Sequence, residues 1–142
     1  MSYDQDNIFA KILRAEIPCN KVYEDDSTLA FMDIMPQADG HTLVIPKEPA
    51  MTLFELSNQA AADLIQKVQW VAKGVKEGMQ AQGITLFQLN GEAAGQTVPH
   101  IHFHILPGSI VGARGHAQFS ATPESIEAAA TKIRAALEKN SE

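Results

Sequence analysis

Three histidines stand at alternate positions in the run His100-Ile101-His102-Phe103-His104, and the residues interleaved with them, Ile101, Phe103 and Ile105, are large and apolar. In an extended strand, successive side chains leave opposite faces of the backbone. The alternation therefore predicts a strand with one imidazole face and one hydrocarbon face. Each imidazole carries nitrogens that need partners, and burying such a group unpaired costs roughly 1–3 kcal/mol. Three adjacent rings are a poor filling for a core. The hydrocarbon face is expected to pack, and the histidine face to meet a ligand.

The composition narrows the setting. A chain of 142 residues, 45% hydrophobic and 20% charged, is expected to form one domain, residues 1–142, around a single core. A formal net charge of −6 with scattered basic residues argues against a nucleic-acid surface. Cys19 is the lone cysteine, which excludes an intramolecular disulfide and any Cys-x-x-Cys metal knuckle. That suits a reducing cytoplasm. The opening stretch from Met1 to Asp6 is acidic and polar, unlike a secretory signal, and no apolar run approaches the ~20 residues of a membrane span. The expectation is a cytoplasmic protein with neither nucleic acid nor membrane as partner.

Periodicity lays out the elements. Residues 7–14 read as a short helix capped by Asp6 or Asn7 and ended by Pro18. Lys21 to Glu24, Leu29 to Ile34 and His41 to Ile45 read as strands, separated by turns at 25–27 and 36–40. Ala61, Leu64, Val68, Ala72 (or Val71), Val75 and Met79 recur at helical spacing within 57–82, where Ser57 is the cap and Gly83 the terminator. Ile84 to Asn90 reads as a further strand, and small residues between 90 and 98 lead through Pro99 into the histidines. Residues 107–121 look irregular, and a last helix begins at Thr122-Pro123, with Ile126, Ala130, Ile133 and Leu137 on one side. The sum is an α+β fold: an antiparallel sheet of about five strands, covered on one face by the long helix, with the site on the other.

Two chemistries suit histidines on a strand. Neutral imidazole is a common zinc ligand. His100 and His104, however, would lie about 13 Å apart at a rise of ~3.3 Å per residue, too far for one ion. Two of the histidines with His41 would serve, but no carboxylate obviously completes the set. The alternative is nucleophilic and acid–base chemistry at phosphorus, in which an imidazole forms a covalent intermediate and its neighbours hold phosphate oxygens and move protons. The stretch Gly95-Gln96-Thr97-Val98 favours this second chemistry, because small residues let backbone N–H groups approach an anion and Thr97 adds a hydroxyl.

The segment His100-Ile-His-Phe-His104-Ile-Leu106 resembles the histidine triad signature, in which three histidines alternate with apolar residues. The stretch from Asn90 through Gly95-Gln96-Thr97-Val98 is similar to that family's phosphate loop. Phe31-Met-Asp-Ile34, the segment Gly40 to Lys47, and Ile8-Phe9 with Glu16-Ile17-Pro18 agree as well. The likeness covers roughly residues 7–107 and is closest to the nucleoside phosphoramidate hydrolase branch.

The resemblance implies a HIT-like fold and a homodimer whose sheets join. It implies hydrolysis or transfer at the α-phosphorus of nucleoside 5′-phosphoramidates, with purine nucleotides such as AMP conjugates as substrates and no metal or other cofactor. Dinucleoside polyphosphate hydrolysis, or nucleotide binding with little turnover, are its alternatives. Under it His102 is the nucleophile, His104 and Thr97 contact phosphate and assist proton transfer, and His100 and His41 form an outer relay. Asn90, Gly95, Gln96 and Val98 line the phosphate pocket, and Asp33 accepts from the ribose hydroxyls. Ile8, Phe9, Phe31, Ile34 and Leu43 form the slot for the base.

Some relatives carry a structural zinc held by a Cys-x-x-Cys near the first helix and by two histidines. Here the matching positions are Asn7, Ala10 and Pro49, and His100 alone is kept. Thr97 stands where some relatives have serine and keeps the hydroxyl. Outside the likeness, His116 is expected to be solvated and Arg114 is a candidate phosphate contact; within it, Trp70 is expected to be a packing or dimer residue and Cys19 to be inert.

Overall fold

A computed structural model describes residues 2–110 and 121–140. The chain runs through α1 (Ile8–Leu13), β1 (Lys21–Glu24), β2 (Thr28–Met32), β3 (Thr42–Pro46), α2 (Asn58–Gly78), β4 (Ile84–Phe87), β5 (Phe103–Pro107) and α3 (Pro123–Lys139), with a short 3-10 turn at Glu92–Ala94. The strands form one antiparallel sheet in the order β1-β2-β3-β5-β4. This is the expected α+β architecture. Two helices rather than one cover the sheet, since α3 packs beside α2. Among the described residues no helix is long and apolar enough to cross a membrane.

Every residue of β2 and β3 is buried, so both faces of the central strands are covered. Ala30, Met32, Val44 and Ile105 face the helices and pack with Leu64, Val68 and Val71 of α2 and Ile133 and Leu137 of α3. Leu29, Phe31, Leu43 and Ile45 face the other way and pack against Phe9 of α1. Alternation along each strand thus sends half the side chains into a thick core and half into a thinner one that ends at the site. Ile101 and Ile105 join the helix-side core and Phe103 packs against it, as their spacing predicts.

The helix boundaries follow local chemistry. Asn7, Ser57 and Thr122 cap α1, α2 and α3 with their side chains. The long helix stops at Gly78 rather than running to Gly83. Gln80 takes a left-handed conformation (φ 54°), and the Gln80 and Ala81 N–H groups return to the Glu77 and Lys76 carbonyls in a Schellman turn. Ala15 (φ 63°) closes α1 in the same way, before Pro18 is reached. The two long helices meet closely at Gly74 and Gly78. A Cβ on Gly78 would lie 2.7 Å from the Lys132 carbonyl oxygen.

The histidine strand is shorter than the alternation predicts. Regular pairing begins at Phe103, opposite Val44, so of the three histidines only His104 lies in β5. The cause is Pro99, which has no N–H to give a ladder. The His100 N–H closes a γ-turn over it onto the Val98 carbonyl (2.9 Å), and the Ile101 N–H is taken by Ala50 (2.9 Å). Two other strands also end early. β2 stops at Met32 because the Asp33 carboxylate accepts the Met35 N–H (2.8 Å), turning the chain. β4 stops at Phe87, beyond which the Gln88 and Asn90 amides pair with each other.

Candidate active site

Between α1, the end of β2, the start of β5 and residues 97–98 lies a cleft of about 240 Å³. Ile8, Phe9, Phe31, Ile34 and Leu43 form its apolar wall, and Asp33, Thr97, Val98, His102 and His104 line it as well. These expected site residues, drawn from separate parts of the chain, therefore converge. Ile12, Ile17, Pro18, Cys19, Met32 and Met35 complete the lining, and sequence reasoning did not place them there. Ile12 was legible as the residue one helical turn beyond Ile8 and Phe9. Nothing local marks Cys19 or Met35 as cleft residues. Burial raises the Cys19 thiol pKa, which keeps it protonated and unreactive.

Hydrogen bonds determine which nitrogen of each buried ring carries the proton. His102 is 6% exposed, and its Nδ1 lies 2.8 Å from the His100 carbonyl oxygen. A carbonyl only accepts, so Nδ1 holds the hydrogen and Nε2 keeps a lone pair. Burial lowers the His102 pKa, partly offset by that carbonyl and by Asp33. The ring is thus a neutral, nucleophilic imidazole near pH 7. Phe9 sits edge-on to it, with centroids 4.9 Å apart.

The buried His100 ring uses its Nε2–H on the Pro46 carbonyl (2.9 Å), which leaves Nδ1 as acceptor for the Tyr3 hydroxyl. Desolvation lowers its pKa too.

A second chain of rings begins at His41, fully buried just before β3. The Gln37 N–H donates to its Nδ1 (3.1 Å), so the proton sits on Nε2, which faces His104 Nδ1 at 3.0 Å. His104 accepts there and carries its own proton on Nε2. The Asp33 N–H is bonded to the His41 carbonyl (3.1 Å), which holds the Asp33 carboxylate beside the imidazole, with Oδ2 3.5 Å from Nε2. Phe87 of β4 stacks flat on His104 (4.2 Å, 9°).

Asp33, His41 and His104 present donor atoms within 4.8 Å of one another, so Asp33 is the carboxylate that sequence reasoning did not find for a metal set. The set does not fit a cation. With Nδ1 of His41 occupied by an amide hydrogen, Nε2 must be N–H, and an N–H has no lone pair for a metal. The residues at the relatives' structural zinc position do not fit that ion either. The Asn7 side chain caps α1, Ala10 is buried, and both nitrogens of His100 are engaged.

The remaining expected residues lie outside the cleft. The Gln96 amide is buried and braces the loops, accepting from the Gly91 N–H (2.7 Å) and donating to the Met51 and Val98 carbonyls (2.7 and 2.9 Å). The Asn90 side chain accepts from the Leu53 N–H (2.8 Å). Gly95, left-handed at φ 103°, closes the 3-10 turn before Gln96. None of these lines the cleft. They set the path of the chain into Thr97 and Val98. Arg114 and His116 lie outside the described residues.

The HIT domain family pattern matches residues 14–110. The chain is 44% identical over 100 residues to an adenosine 5′-monophosphoramidase of Schizosaccharomyces pombe, covering 70% of this chain and 72% of that protein. It is 39% identical over 102 residues to an adenylylsulfatase of Arabidopsis thaliana, covering 72% of this chain and 52% of that protein. Both are named as hydrolases. The crystal structure of a Hit-like protein from Bartonella henselae superposes with a TM-score of 0.88 at 49% identity, covering 96% of this chain and 99% of that one. With the pattern spanning the sheet and the histidine run, and likeness to solved structures extending over nearly the whole chain, this protein belongs to the HIT domain, or histidine triad, family.

Proposed function

We propose that this protein hydrolyses nucleoside 5′-phosphoramidates, purine ones foremost, by displacement at the α-phosphorus through a nucleotidyl-histidine intermediate. The observation that carries the reading is the bond from His102 Nδ1 to the His100 carbonyl, which leaves the neutral Nε2 lone pair on a ring lining the cleft. In the first step Nε2 forms a bond to phosphorus as the phosphorus–nitrogen bond to the leaving group breaks. The departing nitrogen leaves with a proton drawn from solvent, while the His104 Nε2–H donates a hydrogen bond to a phosphate oxygen and the His41 N–H steadies the ring. In the second step water attacks phosphorus, the bond to His102 breaks so that its Nε2 lone pair is restored, and the proton of the water passes to solvent. No metal enters this sequence.

The assignments at either side of the phosphorus follow from position. Thr97 and the backbone through Val98 hold phosphate oxygens, a loop held in shape by Asn90, Gly95 and Gln96. Asp33, with Oδ1 on the Met35 N–H, offers Oδ2 to the ribose hydroxyls and to His41. The apolar wall from Ile8 to Leu43 takes the base. The name of the S. pombe relative favours an adenosine substrate. The protein acts in the cytoplasm as a homodimer. The support for the dimer is β4, an edge strand of the sheet whose Leu86 is 45% exposed beside Ile65, 49% exposed on α2.

Turnover of adenosine 5′-phosphoramidate by wild type and His102→Ala, each with and without EDTA, tests the reading. Turnover that ignores the chelator and vanishes in the variant is expected. Absence of wild-type turnover, with activity on dinucleoside polyphosphates instead, would move the leaving group from nitrogen to phosphate oxygen. Loss with EDTA alone would overturn the metal-free reading.

A further inference from the structure

We infer that Tyr3, in the arm ahead of α1, is a positioning residue for the reaction: its hydroxyl holds the His100 imidazole, and through His100 the carbonyl that fixes the tautomer of His102. This rests on the reading of His102 as nucleophile. The His100 ring is fully buried, so both of its nitrogens need partners. Nε2–H is committed to the Pro46 carbonyl, at the end of β3. Nδ1 is therefore an acceptor in need of a donor, and the Tyr3 hydroxyl is the group placed there. The tyrosine ring also stands edge-on to the imidazole at 5.6 Å. His100 in turn presents its backbone carbonyl to His102 Nδ1 at 2.8 Å. Two residues thus hold the nucleophile's support from opposite ends, Pro46 from the sheet and Tyr3 from the arm.

The arm is fastened in a way that delivers Tyr3. The Asp4 carbonyl accepts from both the Asn7 N–H (3.2 Å) and the Asn7 side-chain amide (2.7 Å). The Gln5 carbonyl accepts from Arg14 Nη1 (2.8 Å), on the residue that caps the far end of α1. Phe9, on the same helix, is edge-on to both His100 (6.4 Å) and His102 (4.9 Å). Arm and helix form one unit over the two rings. If the hydroxyl is removed, Nδ1 of His100 is left as a buried acceptor without a donor. The other tautomer gives no relief, since it would turn a lone pair toward the Pro46 carbonyl and leave Nδ1–H without an acceptor, so the ring shifts to reach water and residue 100 loosens.

Tyr3→Phe keeps the ring and deletes only the hydroxyl, so docking of the arm and folding are preserved. Its phosphoramidate kcat is expected to fall about tenfold, the scale of one hydrogen bond's worth of positioning, with KM and AMP affinity within about twofold. Imidazole ¹⁵N shifts read the tautomers directly. In wild type His100 is expected as Nε2–H and His102 as Nδ1–H, and in Tyr3→Phe the His100 Nδ1 shift is expected to move as its hydrogen bond is lost. Unchanged kcat and unchanged shifts would overturn the inference, as would an equal fall in melting temperature and rate that Tyr3→Ala reproduces without any change in the His100 shifts. If wild type shows no turnover, the reading of function fails, while the ¹⁵N shifts still decide whether Tyr3 sets the state of His100.

Discussion

Phe87 lies flat against the imidazole of His104, with ring centroids 4.2 Å apart and planes 9° from parallel, and the two residues are cross-strand partners of β4 and β5. Phe87 is also within 6.5 Å of the His41 ring. The stacked face fixes the plane of His104 about its bond to His41, which aims its Nε2–H as a hydrogen-bond donor. Phe87→Leu keeps bulk and removes the flat face. An aromatic pair contributes about 0.5–1.5 kcal/mol beyond its area, so kcat is expected to fall about three- to tenfold. AMP binding by calorimetry is expected to stay within about twofold, because Phe87 does not line the cleft. A loss of affinity with kcat intact would mean that the ring shapes the pocket instead.

Burial lowers the pKa values of both His100 and His102. Unfolded, each titrates near ~6.5. Below that value the unfolded chain takes up protons that the folded rings refuse, so the unfolded state binds more protons and stability falls with falling pH. Full stability from these rings is present above ~6.5 and is lost as pH drops toward their lower folded values. The melting temperature of wild type is expected to fall between about pH 7 and about pH 5.5, and less steeply in His102→Gln. The acid limb of kcat/KM is expected below ~6.5, since the free enzyme keeps its nucleophile neutral there. Parallel melting curves in the two proteins would contradict the first expectation.

At Gly78 the backbones of α2 and α3 approach each other closely. A Cβ there meets the Lys132 carbonyl oxygen at 2.7 Å and the Ile133 Cα at 3.0 Å, both backbone atoms that cannot swing away. Overpacking of this kind costs about 1–3 kcal/mol, more than the ~1 kcal/mol that alanine gains in helix propensity. Gly78→Ala is expected to lower stability in urea titration. Gly74→Ala, which meets the Cδ2 tip of Leu137 at 2.3 Å, is expected to be milder. Unchanged stability in Gly78→Ala would mean that the helices separate at little cost.

The alternation from His100 to Ile105 carried most of what the sequence revealed, because period-two burial depends only on backbone geometry. It placed Ile101 and Ile105 in the helix-side core and the histidines on the other face. It overreached in the length of the strand, since a proline at 99 diverts the backbone N–H groups of 100 and 101 to Val98 and Ala50. The apolar wall through Ile8, Phe9 and Phe31 was legible only by the family resemblance, since large apolar residues at an element start or on a strand suit a plain core equally well. Gln96 looked like a phosphate residue from its glycine-rich context. Its amide instead satisfies three backbone groups that come together only after folding. Tyr3 and Phe87 escaped notice for the same reason. Each acts on a histidine far away in the chain, and no local pattern records such a contact.

The central claim is that His102 bonds covalently to the nucleotide, and intact-protein mass spectrometry reads this most directly. Wild type is mixed with adenosine 5′-phosphoramidate and quenched during turnover at alkaline pH, where a phosphorus–nitrogen bond survives. A mass increase of one adenylyl group, mapped by fragmentation to His102 and absent in His102→Ala, is the expected result. Turnover without any adduct, or an adduct mapped to His104 or to another residue, would contradict the account.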